Sequence, residues 1–334
     1  MLDMTLGTIN KIQKTTNMWR NYFNVAIRNI IRNKVFSSVN IIGLSVGISV
    51  SVLILLYVRN ELTYDNYHDN VENKYRVCLE VKMEGRHMMA EVGPAPLTPY
   101  LKENVPDVKG ATRALGSFRP FISYNNNLFY IENMIYAEPE LFDFFDIETL
   151  SGNPKKALSE PFSLVITDKI ANKHFANENP IGKLIKLDNE HNYTIKAVVK
   201  EVLDNTHFQF DMLASFETLT KNQINGPPLD NWMEYAFINY IELNDNVNVT
   251  EFEEKITDLI IEKVGSPPAG VSFNFFLQKL EDIHLYSDFG EENRTNLRYF
   301  INIFSTIALF ILLIACTNYM NLATARSTSR AKEI

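Results

Sequence analysis

Two charge-free apolar runs bracket a long polar middle: Val35 to Val58, between Lys34 and Arg59, and Tyr299 to Ala325, between Arg298 and Arg326. As helices rising about 1.5 Å per residue, each is long enough to cross a hydrocarbon core of roughly 30 Å. The pattern predicts two membrane spans, 35–58 and 299–325, with residues 59–298 between them.

Ahead of the first span, Trp19, Tyr22, Phe23, Ala26, Ile27, Ile30 and Ile31 recur at the spacing of one helical stripe, and Arg20, Asn24, Arg28, Asn29, Arg32 and Asn33 fill the opposite face. A basic amphipathic helix of this kind, residues 18–34, is expected to lie in the lipid interface; the alternative is a packed cytoplasmic helix end. Residues 1–17 lack the pattern and read as a tail, or as an upstream start ahead of Met18.

The middle has mixed texture. Lys74 to Met83 alternates, with Tyr75, Val77, Leu79, Val81 and Met83 on one face, which predicts a half-buried strand with Cys78 pointing away from its core. Pro94 to Asn104 reads as a short helix, and Tyr193 to Val199 and Tyr235 to Leu243 as strands. Thr250 and Glu253 form a capping-box pattern before the stripe Phe252, Ile256, Leu259 and Ile260 of a helix reaching Val264, and a last strand is expected near Ser272 to Leu280. The fold class is therefore α+β: two transmembrane helices flanking a mixed α/β extracytoplasmic domain. Turn clusters at 151–154, 177–182, 226–228 and 265–270 suggest two subdomains, with residues 161–229 inserted into the rest.

Charge sets the orientation. Arg20, Arg28, Arg32 and Lys34 precede the first span, and Arg326, Arg330 and Lys332 follow the second against only Glu333, so both ends are expected to be cytoplasmic. The middle holds 23 Lys/Arg against 38 Asp/Glu, a net of −15, so it should be extracytoplasmic and is a poor nucleic-acid binder. The first run is too long for the core of a cleaved signal peptide. Of two cysteines, Cys78 lies in the middle region and Cys316 in the second span, which disfavours an intramolecular disulfide.

Enzymatic motifs do not fit. Gly43-Leu44-Ser45-Val46-Gly47 matches a nucleophile-elbow pattern, but it lies mid-membrane with no charged residue nearby. Gly43, Gly47 and Ser51 instead put small residues at i, i+4 and i+8, a face for close approach of another helix from this chain or a second one. Gly182-Lys183 lacks the Gly and Ser/Thr of a phosphate loop. His68, His87, His174, His191, His207 and His284 are dispersed and read as polar surface residues. The expectation is no enzyme, no metal site and no cofactor.

Several segments resemble the MacB/FtsX-like ABC transporter permeases. Asn29-Ile30-Ile31-Arg32-Asn33-Lys34, then Asn40 to Ile48, then Glu61-Leu62-Thr63-Tyr64-Asp65 are similar to the leading helix and first span of that family. Asn179-Pro180-Ile181-Gly182-Lys183, Ala197 to Val202 and His207-Phe208-Gln209-Phe210-Asp211 resemble the MacB-type periplasmic core. Ala315 to Arg326 with Arg330 to Ile334 resembles the second span running into a cytoplasmic coupling segment, 326–334. The resemblance implies a permease subunit of a bacterial inner membrane. Its implied partners are a separate cytoplasmic ABC ATPase, a second permease copy or half, the lipid bilayer and a periplasmic partner or cargo on which the domain does mechanical work.

The resemblance also implies further membrane helices beyond Ile334, making this the N-terminal part of a longer permease, and assigns Arg326, Arg330, Lys332 and Glu333 to an ATPase contact. Ordinary positive-inside anchoring explains the basic residues equally well. Two other functions share the topology: a membrane-tethered binding or assembly domain without ATPase coupling, and a fragment of a sensory receptor.

Overall fold

The structure is a computed structural model that describes residues 20, 24, 27–28, 30–32, 34–125, 127–175, 178–220, 226–287 and 297–331. The chain divides into two compact units, one of Met1–Arg59 with Tyr299–Ile334 and one of Asn60–Arg298.

The first unit is built on two long helices, α1 (Lys34–Leu62), whose last turn belongs to the second unit, and α9 (Leu297–Ala331). Within them Ser37–Leu62 and Leu297–Asn321 are long and apolar enough to cross a membrane, and most of their large side chains are exposed, as lipid-facing residues would be. Helix α9 runs without a break through the boundary set in sequence at Arg326.

The second unit is a mixed α/β domain. Its strands are β1 (Lys74–Met83), β2 (Arg86–Ala90), β3 (Gly93–Pro94), β4 (Val108–Phe118), β5 (Phe121–Tyr124), β6 (Asn127–Tyr130), β7 (Met134–Ala137), β8 (Thr149–Gly152), β9 (Ser163–Thr167), β10 (Leu184–Leu187), β11 (His191–Val199), β12 (Met212–Ser215), β13 (Tyr235–Leu243) and β14 (Val271–Lys279). Between them lie α2 (Leu97–Asn104), α3 (Leu141–Phe144), α4 (Pro154–Leu158), α5 (Asp168–Phe175), α6 (Glu217–Thr220), α7 (Val249–Val264) and α8 (Ile283–Tyr286). Among the described residues the strands join in the order β14-β1-β13-β4-β7-β12-β9-β11-β10-β5-β6, with β2 on β1, β3 on β13 and β8 on β11. Among the described residues only the β7–β12 and β9–β11 pairings are parallel.

Among the described residues three apolar clusters hold this sheet. One, at the β14 end, packs Phe252, Ile256 and Ile260 of α7 with Leu97 and Leu101 of α2 onto Tyr75, Val77, Ile241 and Phe275. Each of the three α7 residues is 1% exposed, and their i, i+4, i+8 spacing is what sets the helix against the sheet. Burying each is worth about 1.5–3 kcal/mol. The other two clusters cover the two faces around β9, β11 and β12, one centred on Ile166, Ile195 and Met212, the other on Phe145, Val199 and Leu213.

Two local expectations change. Residues of β1 are buried on both faces from Lys74 to Leu79, because β1 sits between β14 and β13 and a second layer covers the face that alternation assigned to solvent. Cys78 does point away from Tyr75, Val77 and Leu79, but it is fully buried there. The capping box does not form either. Helix α7 begins at Val249 after Asn248, which makes no side-chain cap bond, and Glu253 Oε1 instead accepts from Leu277 N at 2.7 Å. Phe275 N donates to Thr257 Oγ1 at 2.9 Å, so two residues of α7 satisfy alternate outward amides of the edge strand β14. An edge left with bare amides would invite pairing with another chain.

Candidate functional site

The membrane helices meet along the small-residue face. A Cβ added at Gly47 would lie 2.8 Å from Ala315 Cβ, and one at Gly43 would lie 3.5 Å from Asn318 Nδ2. Ser51 Oγ donates to Ala308 O at 3.2 Å, and Tyr57 packs edge-on against Phe304 at 5.8 Å between ring centroids. The partners descend in number as α1 ascends, so the helices run antiparallel, and the face between them is used within the chain. Beside it a groove of about 590 Å³ is lined by Gly43, Gly47, Ile311, Ala315, Asn318 and Asn321.

Of the interfacial stripe, Ile27, Ile30 and Ile31 are helical and 40%, 45% and 58% exposed, alongside exposed Arg28 and Arg32. Trp19 and Phe23 lie outside the described residues. Arg326 and Arg330 fall on the last turns of α9, and Lys332 and Glu333 lie outside the described residues.

The domain's most concentrated chemistry lies just beyond α1. Asp65 is fully buried in a left-handed backbone conformation (φ 58°), which Asp tolerates better than most residues. Its carboxylate accepts from Thr206 Oγ1 and from His207 N at 3.1 and 3.2 Å, and His207 Nδ1 lies 3.0 Å from Oδ2. Burial pushes this carboxyl up, but the hydrogen bond and charge of His207 with the Thr206 and amide bonds outweigh it, leaving the pKa below the usual carboxylate value. His207 Nε2 in turn meets the hydroxyl of buried Tyr240 at 3.0 Å, and burial raises the pKa of that phenol, keeping it neutral.

His68 completes the cluster. Asp146 N donates to its Nδ1 at 3.2 Å, which leaves Nε2 facing Asp65 Oδ1 at 3.9 Å. Desolvation pushes the imidazole down to about 4, so at neutral pH the ring is uncharged and these contacts are dipolar. The backbone is tied as well: Asp65 N donates to Asn205 O at 3.0 Å, and Asn205 Nδ2 to Thr63 O at 3.2 Å.

One turn earlier, Glu61 Oε2 lies 2.6 Å from His284 Nε2, and the Tyr64 ring stacks on His284 at 3.4 Å between centroids, 2° from parallel. Tyr64 Oη also donates to Asp204 O at 3.2 Å. The end of α1 and the three residues after it, Thr63, Tyr64 and Asp65, are thus bonded to the β11–β12 connection and to α8.

The face of β1 that alternation assigned to solvent carries a second buried network. Arg76 pairs with Glu91 at 2.6 Å and donates to Gln278 Oε1 at 2.7 Å and Ser287 Oγ at 3.2 Å. Cys78 Sγ lies under it, and burial pushes the thiol up to about 12, so it is a protonated, unreactive core residue. A cleft of about 450 Å³ nearby has Lys74, Lys102 and Lys109 among Asp69, Asp143, Asp146, Glu140 and Glu242, but Lys102 pairs with Glu140 and Lys109 with Glu242. Five carboxylates against three ammoniums leave the cleft with an acidic surplus.

Spacing alone reads His68, His207 and His284 as dispersed surface residues; the fold buries His68 beside Asp65, and leaves His207 partly buried on Asp65 and His284 partly buried on Glu61. The partners stand 142 and 223 positions apart, beyond the reach of any periodicity. The available signal was the pair of segments Glu61–Asp65 and His207–Asp211, which the resemblance had singled out for another reason.

Comparison with known proteins gives these features a setting. Residues 37–259 match the family model of the MacB-like periplasmic core domain. Among solved structures, a domain described as part of a permease protein from Porphyromonas gingivalis is similar at 19% identity and a TM-score of 0.56, covering 71% of this chain and 98% of that one. The periplasmic region of MacB from Actinobacillus actinomycetemcomitans is similar at 16% identity, covering 64% and 94% with a TM-score of 0.46. The extracellular domain of the noncanonic ABC-type transporter YknZ from Gram-positive bacteria is similar at 17%, covering 60% and 99% with a TM-score of 0.42. No curated protein matches in sequence.

Proposed function

Because this chain belongs to the MacB-like periplasmic core domain family, which it matches over residues 37–259, we propose that it is the permease subunit of an ABC transporter whose ATPase is a separate cytoplasmic chain. The observation that carries this reading is the joining of that domain to two apolar helices, one before it and one after it. Basic flanks at Arg20, Arg28, Arg32 and Lys34 and at Arg326 and Arg330 favour cytoplasmic termini and a periplasmic domain in a bacterial inner membrane.

In this reading ATP binding moves the spans, and the domain passes that displacement to a periplasmic partner or cargo. The helix pair suits such work: the Gly47–Ala315 approach and the Ser51–Ala308 bond let α1 and α9 move as one body. The neighbouring groove, with the amides of Asn318 and Asn321 at its wall, offers a face to a second permease copy or half, since polar side chains at membrane depth need partners. Arg326, Arg330, Lys332 and Glu333 would meet the ATPase.

The first test is a pull-down from native membranes in mild detergent, with a tag on the N-terminal tail and mass spectrometry of what copurifies. An ABC ATPase is the expected companion. A stably inserted chain that brings down none would overturn the reading in favour of a tethered periplasmic domain. Reversing the charges of Arg326, Arg330, Lys332 and Glu333 should abolish recovery of the ATPase; unchanged recovery would remove these residues from the contact.

A further inference from the structure

The cleft of about 450 Å³ lies wholly within the Asn60–Arg298 unit, and its charged groups sort into matched and unmatched ones. Glu140 pairs with Lys102 at 2.8 Å, Glu242 with Lys109 at 2.5 Å, and Asp143 with Lys155, which stands outside the lining. Lys74, Asp69 and Asp146 remain. Among the described residues Asp146 meets one basic side chain, His68 at 3.4 Å, and that ring is uncharged at neutral pH. Asp69 is exposed and has no ion pair among the described residues.

Lys74 is the unusual member. It lines the cleft yet is only 2% exposed; its Nζ donates to Phe144 O at 2.5 Å and lies 5.2 Å from the centroid of the Phe144 ring. An ammonium carries three donors, so two are left without a protein acceptor among the described residues. Glu242 stands opposite Lys74 in the β1–β13 register, but its carboxylate goes to Lys109 instead. Burial pushes the Lys74 ammonium down, against the charges of Asp146, Glu242 and Asp69. A buried cation with no counterion is costly, and an apolar chain of similar length would fill the same space without that cost. Such a group suits an anion brought by a ligand.

The neighbouring groups narrow the ligand further. A metal ion would suit Asp69 and Asp146 but leave Lys74 unmatched, and inorganic phosphate would suit Lys74 but be repelled by both carboxylates. One unmatched ammonium beside two unmatched carboxylates is complementary to a molecule with one carboxylate and two amines. The cleft also falls in the range of about 300–1,000 Å³ typical of small-molecule sites.

We propose that this cleft binds a basic amino acid, with its carboxylate on Lys74 and its ammonium groups on Asp69 and Asp146, taken free or as the C-terminal residue of a peptide. Two unmatched carboxylates favour the free form, which keeps both amines. The site involves neither an ATPase nor a membrane span, so it stands whether or not the permease reading does.

The test is isothermal titration calorimetry of the full chain in lipid nanodiscs with L-lysine, with cadaverine, which lacks the carboxylate, and with Nα-acetyl-L-lysine, which stands in for a peptide end. L-Lysine should bind saturably and cadaverine roughly tenfold more weakly, the loss of one charge-assisted hydrogen bond. Lys74→Met should erase that preference, so that the two ligands bind alike, and Asp69→Asn should weaken both roughly tenfold. Acetyl-lysine binding as tightly as L-lysine would assign the site to peptide ends, and weaker binding would assign it to the free amino acid. Melting curves of each variant are run alongside. Should Lys74→Met fail to fold, the lysine–cadaverine comparison in the unaltered chain and the exposed substitution Asp69→Asn decide the matter. The site is overturned by the absence of saturable heat up to about 10 mM L-lysine, by cadaverine binding the unaltered chain as tightly as L-lysine, or by affinities that the folded variants leave unchanged.

Discussion

Replacing Asp65 by Asn probes the domain at its most heavily bonded point. The carboxylate is 0% exposed, accepts from Thr206 and from the His207 amide, and faces His207 Nδ1 at 3.0 Å. A carboxamide keeps one acceptor oxygen, loses the charge and presents N–H donors where Oδ2 stood. Charge-assisted hydrogen bonds are worth about 1.5–3 kcal/mol each, and removing one partner of a buried pair costs about 3–5 kcal/mol. The isosteric change should fall near the low end, at about 3 kcal/mol. For a domain of this size 1 kcal/mol moves Tm by about 2–4 °C, so the melting point should drop by about 6–12 °C. The assay is intrinsic-fluorescence melting of the full chain in one detergent at one scan rate, at pH 7 and again at pH 3.5. Because the folded carboxyl titrates below its ordinary range, this stability is fully present above the ordinary carboxylate value and is lost as pH falls through the folded one. The gap between wild type and variant should therefore narrow at the lower pH. A drop below about 2 °C at pH 7 would refute the assignment of Asp65 as the anchor of the cluster.

Other consequences follow from the same structure. His68 is held neutral with its pKa lowered to about 4 from 6.5, so the unfolded chain binds the extra proton first and stability should fall by roughly 3 kcal/mol as pH drops from 6.5 to 4; His68→Phe should flatten that slope, and an unchanged melting profile would remove His68 as its cause. Gly47→Leu should force α1 from α9, abolishing thiol cross-linking between Gly43→Cys and Asn318→Cys in a Cys316→Ser background; retained cross-linking would show that the approach at Ala315 is not limiting. Cys78 should resist maleimide at pH 8 until the chain is denatured, since its thiol is buried with a pKa near 12, and native labelling would contradict the buried network over it. Glu253→Ala should cost about 1–3 kcal/mol and speed exchange of the Leu277 amide, while an unaffected amide would mean that water serves the edge of β14 as well as the carboxylate does.

What the sequence determined by itself is the part governed by near neighbours. A run without charges longer than the bilayer is thick has few options but to span it, so the two long helices are legible from composition alone. Alternation over Tyr235–Leu243 and the Phe252, Ile256, Ile260 stripe likewise identify β13 and α7, because period reports local backbone geometry. Period says only that one face of a strand is apolar, not whether the other is covered. Arg76 and Cys78 are buried because the sheet order places β1 between two strands and the segment ending at Ser287 closes over its second face. Glu253 fits a capping box in sequence, yet the edge of β14 offers its carboxylate an unsatisfied amide, and the tertiary bond wins. The Asp65 cluster is wholly a product of the fold. Its members come from residues 65, 68, 206, 207 and 240, and only a closed domain can remove a carboxylate from water while bringing distant donors to meet it.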